Sequence, residues 1–261
     1  MSNEFCRHSV LSLGLSFAVA ALGACAAGPD EVEDADIEES IEELSQASHA
    51  QDPLVHQDTP GHVNLYENLA EGWLAWAMGN PWSTGPIADP TGAQCALGQE
   101  GSVFYLAGTP GGAATRSCTV PADTILYFPL INLWSTPRPE LVDEPAELAS
   151  FTSFFEGFFP QYRSSICELT LKLDGADIAG STVDLDEELW VDVLEPFGVT
   201  LDDDNFQGSP GGDYPAALIA GHFALLHPLS PGEHTLELGG AQCEKKKVVF
   251  ETSVVYHLTV E

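Results

Sequence analysis

The chain has 261 residues, of which 44% are hydrophobic, with 24 glycines and 18 prolines. Its 40 acidic residues far outnumber its 8 lysines and arginines, which gives a formal net charge of −32. A field of this sign repels nucleic-acid phosphates and anionic lipid headgroups, so nucleic acid is excluded as a partner. The composition is that of a globular, turn-rich protein, long enough for one large domain or two small ones.

The N-terminal residues have the pattern of an export signal. A polar start carrying Arg7 is followed by an apolar run from Val10 to Ala24. About fifteen residues are too few to span the hydrocarbon core of a bilayer as a helix. A short apolar run that ends in small residues is typical of a secretory signal peptide, which we assign to residues 1–24.

The run ends in Leu22-Gly23-Ala24-Cys25, which resembles the lipobox of bacterial lipoproteins. The resemblance implies diacylglycerol on the sulfur of Cys25, cleavage before this residue and acylation of the new amino terminus. The expected location is then the cell envelope, at the outer membrane or the cell surface, with the lipid as the membrane contact. The alternative is an ordinary signal peptide with an incidental cysteine.

Residues 25–60 are dominated by Asp, Glu, Ala, Ser and Gln. Such a segment cannot bury enough apolar surface to offset the entropy lost on ordering. We therefore expect a disordered acidic tether that lifts the following domain off the membrane. The spacing of Val32, Ile37, Ile41 and Leu44 is partly helical, so transient helix is compatible with this expectation.

Residues 61–261 form the expected globular domain, which opens on a helical pattern from Gly61 to about Met78. Apolar residues recur there at three- and four-residue steps, and Gly79-Asn80-Pro81 ends the pattern. Trp73, Trp76 and the nearby Trp82 fit two interpretations. They could line a carbohydrate platform, but an aromatic face packed on a sheet is the favoured interpretation.

Short β-type runs follow at residues 102–107, 115–120 and 124–128, separated by Gly/Pro turns, and predict a meander within one sheet. A second helix is expected from Ala146 to Ser164. Its four phenylalanines are predicted to pack on a sheet, with a lid or a membrane-facing surface as the alternative. From Cys167 the pattern is β to the end, including a strand over Glu188–Leu194. The predicted fold is mainly β: an antiparallel β-sandwich or jelly-roll-like domain with two accessory helices.

Four cysteines remain once Cys6 and Cys25 are set aside, an even number in a chain expected in an oxidising compartment. Four cysteines allow three pairings. We favour Cys95–Cys118, which joins neighbouring segments, and Cys167–Cys243, which ties the start of the C-terminal half to its last hairpin. A metal site is disfavoured because the chain has no Cys-x-x-Cys pair.

Residues from about Trp73 onward also resemble a group of exported bacterial proteins of unknown role. The resemblance is carried by Asp89-Pro90-Thr91-Gly92-Ala93-Gln94-Cys95, Val103-Phe104-Tyr105-Leu106-Ala107-Gly108, Arg116-Ser117-Cys118-Thr119-Val120-Pro121 and Phe128-Pro129-Leu130-Ile131-Asn132. It implies the domain and its first disulfide, and no activity.

Catalytic motifs are missing from the sequence. It contains no Gly-x-Ser-x-Gly, no phosphate-binding glycine loop and no His-x-x-x-His. His222 and His227 would fall on opposite faces of one strand, which disfavours a shared zinc ion. The remaining candidates are acidic loops, Asp184 to Glu188 and the group Asp202, Asp203, Asp204 and Asn205, whose oxygens could bind calcium, although neither has EF-hand spacing.

Two functional hypotheses follow. The first is a lipid-anchored β-sandwich protein of the cell envelope with a binding or structural role, whose partner is a glycan or a protein. The second is a secreted glycan-acting hydrolase with paired carboxylates near Trp73, Trp76 or Trp134. A cleft lined by two facing carboxylates of raised pKa over an aromatic floor would favour the hydrolase. No cofactor other than calcium is suggested.

Overall fold

A computed structural model describes residues 29–46, 52–57, 64–178 and 182–261. Its helices are α1 (Pro29–Gln46), α2 (Leu65–Gly79), α3 (Pro145–Ser165) and α4 (Thr182–Leu189), with a 3-10 turn at Pro139–Leu141. Its strands are β1 (Val103–Tyr105), β2 (Gly112–Val120), β3 (Ile125–Ser135), β4 (Ile166–Leu173), β5 (Ala176–Asp177), β6 (Trp190–Leu201), β7 (Gly212–Leu226), β8 (Gly232–Glu244) and β9 (Lys247–Val260). Within these residues, every helix is too short or too polar to cross a membrane.

The strands form two sheets, which confirms the predicted mainly-β, sandwich-like fold. The four-stranded sheet has the order β1-β3-β7-β6 and the five-stranded sheet the order β2-β9-β8-β4-β5. Neighbouring strands are antiparallel except for two pairs, β1 with β3 and β2 with β9. Leucine, valine, phenylalanine and tyrosine side chains from both sheets fill the space between them, including Leu126, Phe128, Leu238, Val254 and Tyr256.

Strand β3 is covered on both faces. Leu126 and Phe128 point into the space between the sheets, whereas Ile125 and Tyr127 belong to the cluster under α2. Helix α3 covers another part of the same outer face. This three-layer arrangement explains why the start of β3 is a continuous apolar run rather than an alternating one.

The predicted meander is wrong. Strand β2 lies in the five-stranded sheet, while β1 and β3 lie in the other and run parallel to each other. The partner of β2 is β9, paired from Gly112↔Thr252 to Val120↔Val260. Because local turns between successive strands cannot reveal a partner about 140 positions away, the sequence pattern assigned β2 to its neighbours.

The acidic segment before the domain also differs from the expected disordered tether. Residues 29–46 form helix α1, whose Leu44 is buried and whose Ile37 and Ile41 pack on the core under α2. Residues 52–57 lie along the end of β7, where Leu54 bridges Leu226. The sparse apolar residues of this segment are therefore enough to dock it, because they fall on one face of a helix.

The β-only prediction after Cys167 is wrong at α4. Residues 182–189 are helical, and the strand that was expected from Glu188 begins at Trp190. The acidic group from Asp184 to Glu188 therefore lies on a helix rather than in a loop. Helices α2 and α3, by contrast, lie where the apolar spacing predicted them.

A loop covers the outer edge of β2. The amide of Ser117 donates to the carbonyl of Thr91 over 2.8 Å, and the carboxylate of Asp89 accepts from the amides of Thr91 and Gln94. Gly92 is required there, because its φ is +86° and a Cβ would lie 2.3 Å from the carbonyl oxygen of Ser117. The loop thus shields an edge strand that would otherwise present unpaired backbone groups.

Candidate ligand pocket

The edge of β3 opens onto a cavity of about 190 Å³. Strand β1 pairs with β3 only from Ile125 to Tyr127, so the following residues of this edge have no strand beside them in the described part of the chain. The pairing of β3 with β7 is also interrupted between Pro129 and Ile131. A bulge of this kind re-aims side chains next to a binding site.

The walls of the cavity are aromatic. Trp73 of α2 forms part of the floor, and Trp82, Trp134, Phe206 and Phe250 surround the opening. The rings of Trp82 and Phe206 lie 4.7 Å apart, and those of Trp134 and Phe206 lie 6.3 Å apart. Phe206 is nevertheless 57% exposed, which is unusual for so large an apolar side chain. We call this cavity, with the aromatic side chains that line it, the aromatic pocket.

A stiff loop holds Phe206 in place. The buried side chain of Asn205 donates to the carbonyls of Asp202 and Ser209 at 2.8 and 2.7 Å and accepts from the amide of Gln207. The carboxylate of Asp204 accepts hydrogen bonds from the amide and hydroxyl of Ser83, which hold its pKa below the usual value. The loop is therefore fastened to the segment that carries Trp82.

These contacts occupy much of the predicted calcium group. The Oδ1 atom of Asp202 accepts from the amide of Asp204, and the carboxylate of Asp203 lies against Gly211. Among the described residues no cluster of three or more His, Cys, Asp or Glu side chains is placed to hold a metal ion. The observed role of these residues is to shape the loop, and calcium binding there stays a prediction.

Three polar side chains reach the aromatic pocket. The hydroxyls of Thr109 and Thr252 lie 2.9 Å apart and hydrogen-bond to each other. The amide nitrogen Nδ2 of Asn132 is buried and has no hydrogen-bond partner among the described residues. Asn132 sits opposite Gly221 on β7, where a Cβ would lie 2.6 Å from that of Asn132. An unpaired buried donor of this kind costs about 1–3 kcal/mol.

A buried arginine supports the wall of the cavity. Arg116 of β2 donates to the carbonyls of Ala107 and Ile87 at 2.7 and 2.9 Å and to the hydroxyl of Tyr256 at 2.8 Å. Ile87 and the residue after Ala107, Gly108, both line the cavity. Because a single guanidinium joins two loops to the five-stranded sheet, the wall is held at a fixed distance from β9.

The three tryptophans of the predicted platform do not form a common exposed face. Trp73 and Trp76 are buried, and their indole nitrogens donate to the carbonyls of Leu106 and Leu97. The favoured core interpretation is therefore right for both residues. Trp82 is separate from them and only partly buried, and it lines the aromatic pocket together with the buried Trp73.

Carboxylates of raised pKa lie elsewhere, between α2 and β6. Burial raises the pKa of Glu71 to about 7, helped by the charges of Glu67 and Glu195. Burial and the charge of Asp192 raise the pKa of Glu67, and burial raises that of Asp192. Among the described residues lining the aromatic pocket there is no Asp or Glu. The carboxylates and the aromatic floor required of a glycan hydrolase therefore do not coincide.

Two acids of α4, Asp186 and Glu188, bond to the histidines His222 and His56. Asp186 accepts from Arg163 at 3.2 Å and bonds the fully buried His222 at 2.8 Å, and the hydrogen bonds and charges of these two partners lower the pKa of Asp186 despite its burial. Burial lowers the pKa of His222, although Asp186 opposes this. Glu188 bonds His56 of the docked segment at 2.8 Å. These ion pairs join α3, α4, β7 and the segment at residues 52–57.

Two disulfides are formed, Cys95–Cys118 and Cys167–Cys243, the pairs favoured from the sequence. The first fastens the loop on the edge of β2, and the second joins β4 to the base of the β8–β9 hairpin. The predicted lipobox with Cys25 and the predicted signal peptide lie outside the described residues.

Sequence reasoning missed Asn132, Phe206 and Phe250 as pocket residues. Asn132 carries a faint signal, since it is a polar residue that ends the apolar run Phe128 to Ile131. Phe206 is likewise an isolated aromatic residue in an acidic loop. Neither signal identifies a site by itself, because the cavity is assembled from segments that are distant along the chain.

Comparison with known proteins finds no matching family model and no matching curated protein. Two solved structures are weakly similar. PbICP-C, solved in complex with falcipain-2, has a TM-score of 0.24 and 9% identity, over 62% of this chain and 100% of its own. The cysteine protease inhibitor EhICP2 from Entamoeba histolytica has a TM-score of 0.21 and 12% identity, over 58% of this chain and 88% of its own. At these TM-scores neither likeness bears on the function proposed below.

Proposed function

We propose that the chain is a lipid-anchored protein of the bacterial cell envelope that binds a small, uncharged, ring-bearing ligand in the aromatic pocket. One observation carries the binding role: the cavity walled by aromatic rings is also lined by Asn132, whose buried amide nitrogen Nδ2 has no partner among the described residues. The lipobox at Cys25 supports the anchor. The two disulfides fit an oxidising compartment.

The chemistry of the walls defines the ligand class. With no charged side chain in the described lining, a charged ligand would lose its hydration without gaining a counter-ion. An apolar cavity of roughly 150 Å³ holds a benzene molecule, so about 190 Å³ suits one ring with a small substituent. Asn132 Nδ2 calls for a hydrogen-bond acceptor on that substituent, and the hydroxyls of Thr109 and Thr252 lie within the same cavity.

The hydrolase hypothesis has less support. It requires two carboxylates flanking the substrate, roughly 5–10 Å apart and above an aromatic floor. The carboxylates of raised pKa, Glu67, Glu71 and Asp192, are not among the residues that line the aromatic pocket. Binding without carboxylate chemistry is therefore the function that this cavity supports best.

The test is a titration of the ¹⁵N-labelled protein, followed by its amide resonances, with acetophenone and separately with methyl glucoside. Acetophenone carries an apolar ring and one acceptor, so it should shift the resonances of Asn132, Phe206 and Thr252 saturably. Phe206→Ala removes an exposed ring from the mouth and should weaken binding about tenfold, which corresponds to about 1.4 kcal/mol. Phe154→Ala is the matched control, because Phe154 is 62% exposed on α3 and outside the cavity.

Saturable binding of acetophenone that is weakened by Phe206→Ala and unchanged by Phe154→Ala supports the proposal. Binding of methyl glucoside alone would instead favour the glycan hypothesis. Equal effects of the two alanine substitutions, or no saturable shift with either compound, would contradict a role for the aromatic pocket.

A further inference from the structure

The tip of the β8–β9 hairpin projects beyond its sheet. Strand β2 joins β9 only from Thr252 onward, and β4 joins β8 only up to Gln242. Beyond Gln242 and its partner Phe250, the residues from Cys243 to Val249 therefore form a two-stranded ribbon with no further strand beside it in the described chain. At about 3.3 Å per residue, the ribbon extends roughly 10 Å past the sheet. The disulfide Cys167–Cys243 fastens its base to β4.

The ribbon carries the exposed basic charge of the described molecule. Lys245, Lys246 and Lys247 are consecutive, exposed, and form no ion pair with any described residue. Every other described basic side chain is buried or paired: Arg116 is buried, and Arg138, Arg163 and Lys172 pair with Glu140, Asp186 and Asp177. The three lysines outnumber the two acidic residues that flank them, Glu244 and Glu251, so the local charge of the tip is positive.

Apolar side chains stand directly beside these lysines. Val248 and Val249 are 52% and 51% exposed, whereas Phe250, at the base of the ribbon, is 36% exposed and lines the aromatic pocket. A register shift between Gln242 and Cys243 leaves Val249 without a direct partner on β8. A contiguous exposed apolar run next to a basic cluster is the pattern of surfaces that bind at a membrane interface.

The backbone of the turn is unfavourable for its residues. Lys245 and Lys246 have φ values of 49° and 67°, so both central positions of a two-residue hairpin turn are left-handed. Asn-Gly is the pair that suits such a turn, whereas lysine has a Cβ that opposes this conformation. A strained position occupied by an unsuitable residue suggests that the residue serves a purpose other than stability.

We propose that this hairpin tip, Lys245 to Val249, docks onto the surface of an anionic phospholipid bilayer. The lysines contact the headgroup phosphates, and the side chains of Val248 and Val249 enter the interface beside them. The net charge of −32 repels an anionic bilayer, but salt screens the repulsion by the distant charges of the chain. At physiological ionic strength the screening length is about 8 Å, so the bilayer senses mainly the charge of the protruding tip. The docking does not require an acyl group on Cys25.

The test places an environment-sensitive fluorophore on the tip of the full chain through Val249→Cys. The unsubstituted chain is carried through the same labelling to subtract any signal from Cys25. The emission is measured with vesicles of phosphatidylcholine alone and with vesicles that also contain phosphatidylglycerol. A label introduced through Phe154→Cys on α3 is the control for non-specific adsorption of an exposed apolar site.

We expect a blue shift of the Val249 label with the anionic vesicles, a weaker one at high salt, and none of the Phe154 label. The double variant Lys245→Asn, Lys246→Gly separates binding from folding. It removes two charges while placing the favoured pair in the turn, so the melting temperature should stay equal or rise. The lipid concentration for half-maximal shift should increase at least about tenfold.

Three results would overturn the proposal. The first is no shift of the Val249 label with anionic vesicles, and the second is an equal shift with both kinds of vesicle. The third is a shift that appears only when envelope proteins are added, which would identify a protein partner. Because none of these readouts depends on lipidation of Cys25 or on occupancy of the aromatic pocket, each outcome is distinguishable from failure of the proposed function.

Discussion

Glu71 is a residue that the fold holds in an unfavourable environment. It is half-buried on α2, one helical turn from Glu67, and it faces the charge of Glu195 on β6. Burial and these two like charges raise its pKa from 4.5 to about 7. An acid whose pKa is higher in the folded state binds its proton more tightly there. Ionisation of Glu71 therefore leaves the free energy of unfolding unchanged below about pH 4.5 and lowers it by the full amount above about pH 7.

Glu71→Gln should accordingly stabilise the protein at pH 8 and have little effect at pH 4.5. A shift of this size would correspond to about 3 kcal/mol for a fully buried group, but solvent screening of a half-exposed one reduces the expected gain to on the order of 1 kcal/mol. Urea unfolding of the natural chain and of Glu71→Gln at the two pH values measures this gain in the free energy of unfolding. Glu156→Gln, at an exposed position on α3, is the control. A loss of stability at pH 8 on replacing Glu71 would contradict this account.

At the scale of elements, the two disulfides fasten the edge strand β2 and the projecting end of the β8–β9 hairpin. Cys95–Cys118 holds a loop against the outer edge of β2, across 23 residues of sequence. Cys167–Cys243 holds the start of the projecting ribbon, across 76 residues. An isolated two-stranded ribbon is marginally stable in water, so the second link matters most where the β8–β9 hairpin leaves its sheet.

Replacing Cys167 and Cys243 by serine should cost about 4.5 kcal/mol of unfolding free energy, against about 3.4 kcal/mol for Cys95 and Cys118. The difference arises because a cross-link that closes the longer loop removes more entropy from the unfolded chain. Denaturant unfolding of both double variants measures these costs. In parallel, peptide mass mapping of the unreduced protein should recover the two pairs. Recovery of Cys95 linked to Cys167 or Cys243 would contradict the architecture described above.

The local patterns predicted elements better than their partners. Helices α2 and α3 follow from apolar side chains three and four positions apart, which is information carried within each segment. Strand β2 was assigned to the wrong sheet because its partner, β9, is distant along the chain. Helix α1 was missed because Ile37, Ile41 and Leu44 are too few to predict a stable helix without the core on which they pack.

The aromatic pocket was beyond sequence reasoning for a similar reason. Trp73 and Trp82 were recognised as aromatic candidates, but the residues that complete the cavity come from β3, β9 and the loop at residues 202–209. What makes Asn132 noteworthy is its lack of a partner, and that is a property of the assembled fold rather than of a motif. Cysteine pairing was predictable because four cysteines allow only three arrangements.

At the scale of the whole molecule, helix α1 limits the distance between the domain and the proposed lipid. Helix α1 begins at Pro29, four positions after Cys25. An extended chain spans at most about 3.6 Å per residue, so the start of α1 would lie within about 14 Å of an acylated Cys25. The proposed lipid anchor would therefore hold the domain close to the bilayer, without a long spacer between them.

Triton X-114 partitioning tests the anchor. The natural chain should enter the detergent phase, since two or more acyl chains hold a protein stably at a membrane while one binds only marginally. Cys25→Ser removes the sulfur that would carry the lipid, and the protein should move to the aqueous phase. Recovery of the natural chain in the aqueous phase would show that the lipobox interpretation is wrong, and would leave the aromatic pocket and the hairpin tip unaffected.

The pairing of β2 with β9 sets an order of events for the emerging polypeptide. Strand β2 has β9 as its neighbour in the five-stranded sheet, and β9 follows every other described strand along the chain. Before β9 is available, Cys118 of β2 can already form its disulfide with Cys95 in the preceding loop, but β2 has no strand partner. Until β9 arrives, both β2 and β8 expose an edge open to intermolecular pairing. Completion of this sheet is therefore a late step, and the period before it is the interval in which a chaperone would protect the protein from aggregation.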